Sequence, residues 1–174
     1  VKCLSFVAAV ATLSGCMEPV YSVQGAIPFA QVLAETEGRP YECVDYEPST
    51  NSCSSISQFV TVGPNAFQLT TTSRPTPHLP AIELTTVMRE RGAVMCSDRS
   101  NMDLRFAQAG ATFQMEAVLA QVEIAIAEDE QFCGGYVRAG DNYIFRVVSG
   151  AATETKPIQN IQFFAEPKRL RVEE

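Results

Sequence analysis

Four cysteines, Cys43, Cys53, Cys96 and Cys133, constrain this chain more than any other feature, because each cross-link they form holds two stretches of backbone within about 7 Å of each other. Four thiols allow three pairings. Cys43 and Cys53 flank Pro48-Ser49-Thr50-Asn51-Ser52, a run of turn formers that folds its flanks into a hairpin with both thiols side by side. The favoured pairing is therefore Cys43 with Cys53 and Cys96 with Cys133. Closing the two loops removes denatured-state entropy worth about 2.6 kcal/mol for the shorter and about 3.8 kcal/mol for the longer. A four-thiolate zinc site would use the same residues, but it needs paired Cys-x-x-Cys spacing that the sequence lacks. An even set of thiols of this kind points to folding in an oxidising compartment.

The amino end agrees. Lys2 and the terminal amine form a short positive region, and Cys3 to Leu13 (CLSFVAAVATL) is apolar but too short to span a bilayer, which is signal-peptide length. The next residues, Leu13-Ser14-Gly15-Cys16, resemble the lipobox of bacterial lipoproteins. That resemblance covers residues 1–16 alone and implies that the Cys16 thiol receives a diacylglycerol. It further implies cleavage between Gly15 and Cys16 and acylation of the new amino group. Two or more acyl chains anchor a protein stably, at about 0.8 kcal/mol per buried methylene. In the same family an Asp directly after the Cys retains the protein at the inner membrane. Met17 stands there, which favours the outer membrane. The expected division is residues 1–15 as signal peptide, 16–26 as lipidated tether and 27–174 as one globular domain, attached to the envelope and facing the periplasm.

Charge and size narrow the partners. The formal charge is −7, and loss of Lys2 with the signal makes it −8. So acidic a domain lacks the basic stripe that nucleic acid requires, and adhesion to anionic headgroups falls to the lipid rather than to the protein surface. The membrane, through the anchor, and a protein partner within the envelope are the expected contacts. After the signal no apolar run approaches the length of a transmembrane helix.

The apolar spacing of Phe29, Val32 and Leu33 predicts a short helix over 28–37, with Pro28 at its first position and Gly38 as its stop. Alternating apolar residues predict strands at 41–45, 54–62, 66–72, 82–88, 93–96, 104–107, 132–138, 143–148 and 158–165, with a charged turn at 89–92 and a loop at 97–101. Ala139-Gly140-Asp141-Asn142 has hairpin chemistry. Residues 112–130 are Ala-rich, with Glu116, Glu123 and Glu130 spaced by seven, and read as a helix capped by Thr112. Residues 166–174 read as a solvated charged tail. Many short strands and one or two helices, without regular alternation, predict an α+β fold with an antiparallel sheet.

No catalytic, metal or cofactor signature emerges. The single histidine, His78, lies in Ser73-Arg74-Pro75-Thr76-Pro77-His78-Leu79-Pro80, whose prolines suit neither a helix nor a central strand. His78 is the one residue a catalytic or ligand role could use, and no Ser-His-Asp or Cys-His pairing can be built around it. The Pro-rich stretch itself reads as a connector, with docking into an aromatic groove as its functional alternative. Glu128-Asp129-Glu130 reads as a solvated helix end rather than a cation site. Gly134-Gly135 beside Cys133 reads as permitting close approach of chains. The expected function is a non-catalytic binding or scaffolding domain on a lipoprotein. Its alternatives are a periplasmic hydrolase or transferase using His78 and carboxylates, and a soluble secreted small-ligand-binding protein.

Overall fold

Each long strand of this chain is followed, after a turn or connection, by another that pairs with it antiparallel, and the last returns to the first. The computed structural model describes residues 21–108, 113–126, 131–149 and 155–172. Its elements are β1 (Ala26–Ile27), α1 (Phe29–Glu35), β2 (Tyr41–Val44), β3 (Ser52–Cys53), β4 (Ser55–Gly63), β5 (Ala66–Ser73), β6 (Ile82–Arg91) and β7 (Val94–Phe106). They continue as α2 (Phe113–Ile126), β8 (Gln131–Ala139), β9 (Asn142–Ser149), β10 (Thr155–Phe164) and β11 (Arg169–Leu170). Strands β2, β4, β5, β6, β7, β8, β9 and β10 pair in that order, and β10 closes on β2 through Ile161–Val44 and Phe164–Tyr41. The fold is thus an eight-stranded up-and-down barrel, and the α+β expectation is corrected. Two-residue alternation reports how strands face a core, but not that the first and last strands of a sheet meet. Closure removes both exposed edges at once.

The barrel wall corrects the predicted elements in two places. β6 runs on to Arg91, and the turn is confined to Gly92 and Ala93, with Gly92 at φ +66°. The two strands and loop predicted over 93–107 are one strand, β7. Ser97 pairs with Met88 and Met102 with Thr86, so residues 98–101 stand opposite Val87 alone. This bulge supplies the polar interruption that reads as a loop in the sequence. The helix predicted at 112–130 is present as α2; its Thr112 cap and the acidic run at 128–130 lie outside the described residues.

The inward face follows strand parity. Val44, Phe67, Met88, Met95, Tyr136, Tyr143, Ile161 and Phe163 form the buried interior together with Phe29 and Val32 of α1. Helix α1 lies across the end of the barrel that carries the β4–β5, β6–β7 and β8–β9 turns. The Phe29 amide donates to Glu90 Oε1 at 2.7 Å, and the Tyr143 hydroxyl donates to Glu35 Oε2 at 2.6 Å. The Phe29 ring enters the barrel and meets Phe59, Phe67 and Tyr136 at centroid distances of 4.5, 4.9 and 5.4 Å. Pro28 is the residue before the helix rather than its first position, and the helix ends at Thr36, two residues before Gly38 at φ +77°.

Both disulfides lie on the outward parity. Cys43 is bonded to Cys53 and Cys96 to Cys133, with Cα separations of 5.5 and 4.0 Å, the second bond joining directly opposed residues of β7 and β8. Around the second, Val23, Val94 and Val148 form an outer cluster, with Tyr21, Ala26 and Val137 packed on it. Residues 21–26, on the tether side of the expected boundary, therefore lie against the barrel wall. The glycine pair explains how: a Cβ on Gly135 would come within 2.9 Å of the Ala26 Cβ outside the wall, and one on Gly134 within 2.4 Å of the Phe145 ring inside it.

The carboxyl-terminal stretch corrects another expectation. Instead of a solvated tail, Arg169–Leu170 pairs parallel with Ser52–Cys53 beside the first disulfide, and Arg171 donates to the Asp45 carbonyl at 2.5 Å. Lys168 sits 4.4 Å from the centroid of the Phe164 ring.

Candidate binding site

Among the described residues one carboxyl is buried in the barrel interior. Glu42 shares the inward parity of Val44 and is 6 % exposed, between Ser57 of β4 and Phe163 of β10. The Tyr136 hydroxyl, reaching across from β8, donates to Glu42 Oε2. Ser57 supplies a second hydrogen bond, and its Oγ lies 2.9 Å from Thr71 Oγ1. Burial pushes the Glu42 carboxyl up to about 7, only partly offset by the hydroxyls of Tyr136 and Ser57. Tyr136 is raised well above the phenol range, first by its own burial and then by the charge of Glu42.

Strands β6 and β7 add two inward hydroxyls. Thr86 Oγ1 and Ser97 Oγ are buried and have no hydrogen-bond partner. Ser97 pairs with Met88, two residues from Thr86, which makes the two side chains diagonal neighbours on adjacent strands. Buried polar atoms are nearly always satisfied, so these two hydroxyls hold hydrogen-bonding capacity that no protein group uses.

A cleft of about 300 Å³ opens between the end of α1 and the barrel rim at Phe59 of β4 and Phe163 of β10, and the buried polar groups of the interior are not part of its lining. Leu33, Phe59 and Phe163 form its apolar walls and the 36–40 backbone its lip. Phe163 pairs directly with Glu42, and Phe59 is the next inward residue after Ser57, so the two rings flank the carboxyl. Arg39 stands at the rim and donates to the Glu35 carbonyl at 2.8 Å. Glu35 is held below the ordinary carboxylate range, first by the Tyr143 hydroxyl, then by Gln31 and Arg138; burial and Glu35 together push Tyr143 up to about 12. The arrangement is a small cleft with apolar walls and the polar residues Thr36, Glu37 and Arg39 at its lip, the common form of a small-molecule site.

The residues singled out in the sequence are distributed elsewhere. His78 is exposed in the β5–β6 connection, a loop tied by Arg74 to the carbonyls of Leu79 and Pro77. None of the described ion pairs or hydrogen bonds brings a carboxylate to it, and among the described residues no cluster of His, Cys, Asp and Glu could hold a metal ion. Cys16 lies outside the described residues. Glu42 and Tyr136 were not apparent in the sequence. Along Tyr41-Glu42-Cys43-Val44 each parity holds apolar side chains, so alternation alone does not say that the one including a glutamate faces inward.

Fold and site together define a class, the closed antiparallel barrel with a plugged end, an apolar core that encloses one buried carboxyl, and an apolar cleft at the rim. No protein family, curated protein or solved structure matches the chain.

Proposed function

We propose that this protein is a lipid-anchored binding protein of the bacterial envelope, held through Cys16 at the periplasmic face of a membrane, the outer one favoured by Met17, and taking a small molecule into the cleft lined by Leu33, Phe59 and Phe163. The supporting observation is the cleft at the plugged end of a closed barrel, with apolar walls of Leu33, Phe59 and Phe163 and a polar lip of Thr36, Glu37 and Arg39. An eight-stranded barrel is wide enough either to be filled by side chains or to hold one small ligand. The size of the cleft, at the lower end of the range for small-molecule sites, suits a ligand no larger than a single ring with a short arm.

The experiment is a titration of the isotope-labelled, disulfide-intact protein with 2-phenylethanol, a neutral molecule of that shape. Saturable shifts of the Leu33, Phe59 and Phe163 amide resonances, with those around His78 unmoved, are expected. Absence of any saturable shift at the cleft would overturn the binding reading.

A further inference from the structure

We infer that the protein carries a second site, at the end of the barrel away from α1, which holds a small oxyanion, a carboxylate or phosphate group, on Arg169 and Arg171. An open cavity of about 600 Å³ lies there, lined by Glu47, Thr50, Ser52 and residues 169–172. Its two sides are tied together. Arg169 and Leu170 of β11 pair parallel with Ser52 and Cys53 of β3, and the amides of Arg169 and Arg171 donate to the carbonyls of Asn51 and Cys53 at 3.4 and 2.9 Å. The chain is therefore extended from 169 to 171, and alternation puts both arginine side chains on one side of it. The loop beside it is fixed as well. The Cys43–Cys53 bond closes it, the Ser49 amide donates to Glu47 Oε1 at 3.0 Å, the Tyr46 hydroxyl donates to Asn51 Oδ1 at 2.9 Å, and Thr50 Oγ1 lies 2.6 Å from Ser52 Oγ. A lining already held in shape costs little to order when a ligand enters.

The lining sets two guanidiniums against one carboxylate, a local excess of positive charge on a chain whose formal charge is −7. That carboxylate is already engaged: Glu47 is held below the ordinary carboxylate range first by the Ser49 amide, then by the Ser49 hydroxyl, with the charge of Arg171 a smaller cause. Nearby charges are occupied too, Lys168 over the Phe164 ring and Asp45 by the Asn160 amide at 3.2 Å. Arg171 spends one donor on the Asp45 carbonyl and keeps the rest. The exposed Arg169 guanidinium has no hydrogen bond or ion pair among the described residues. A guanidinium presents its N–H groups as a fork that matches paired oxygens of a carboxylate or phosphate. Of the Thr50 and Ser52 hydroxyls one donates to the other, which leaves one hydroxyl hydrogen for a ligand. The positive excess is confined to one cavity, so it suits a small anion rather than a polyanion, which needs an extended basic stripe.

The test titrates the isotope-labelled, disulfide-intact protein at pH 6.5 with inorganic phosphate, with succinate and, at matched ionic strength, with sodium chloride. The resonances followed are the Nε–Hε groups of Arg169 and Arg171 and the amides of Thr50 and Ser52. Phosphate, succinate or both should shift them saturably, with a Kd in the millimolar range or tighter, while chloride should not. Saturation by phosphate alone assigns a phosphate group, by succinate alone a carboxylate, and by both the oxyanion class as a whole. Arg169→Gln removes no contact within the described fold and should weaken binding about tenfold, the loss of a charge-assisted hydrogen bond. Unchanged amide shifts around Phe29 show that this variant is folded. An equal response to chloride, shifts that never saturate, or an unchanged Kd in Arg169→Gln overturns the site. The cleft beside α1 stands or falls separately, on the resonances of Leu33, Phe59 and Phe163.

Discussion

Glu42 makes stability depend on pH in the direction opposite to that of an ordinary surface carboxylate. Its carboxyl keeps its proton up to about 7 in the folded barrel but only to about 4.5 when the chain is unfolded. Folding therefore takes up a proton between those values, and the native state loses stability as pH rises from about 4.5 to about 7, then levels off. The shift corresponds to about 3 kcal/mol in all. Glu42→Gln cannot ionise, so its stability relative to the native chain should improve by about that amount between pH 4 and pH 8 in denaturant unfolding; a constant difference between the two proteins would refute this. Phe29 is a second residue whose consequence is local. Its ring is 1 % exposed and touches Phe59, Phe67 and Tyr136, and Phe29→Ala should cost about 3–5 kcal/mol in the same assay. Substitution of exposed His78 by Ala should leave the unfolding curve in place.

At the scale of elements the two cross-links differ in what they restrain. The Cys43–Cys53 bond closes a ten-residue loop and the Cys96–Cys133 bond one of 37, so replacing the second pair by serine should lower stability more, by about 3.8 against about 2.6 kcal/mol. Comparison of denaturant midpoints for the two double variants checks this, and the reverse order would show that strain or packing outweighs loop entropy. These cross-links were legible because turn formers lie between Cys43 and Cys53. Most strands were legible too, since period two survives even where side chains such as Thr70 and Thr72 are only half-buried. What the sequence concealed has physical causes. The bulge at 98–101 breaks the alternation of β7. Arg169–Leu170 pairs through its backbone, whatever its charges. The inward glutamate sits on a parity shared with Val44, and its importance comes from Tyr136, a partner far along the chain that only barrel geometry brings near.

For the whole molecule the proposed anchoring turns on Cys16. Cys16→Ser, expressed in a bacterium, should move the protein from the membrane to the soluble fraction and remove the acyl mass from the intact chain; unchanged fractionation and mass would remove the anchor from the proposal. Tyr21 is already packed on the barrel wall, and five residues extend at most about 18 Å. Attachment at Cys16 would thus hold the barrel close to its bilayer rather than on a long leash.

The seam between β2 and β10 has a consequence for biogenesis. Every other join in the ring links strands that follow one another along the chain, whereas this one waits for the final strand. A polypeptide released amino-end first would carry an unzipped sheet, with two bare edges, until Phe164 emerged. During that interval the rims of the half-made cylinder would stand open to pairing with neighbours of the same kind.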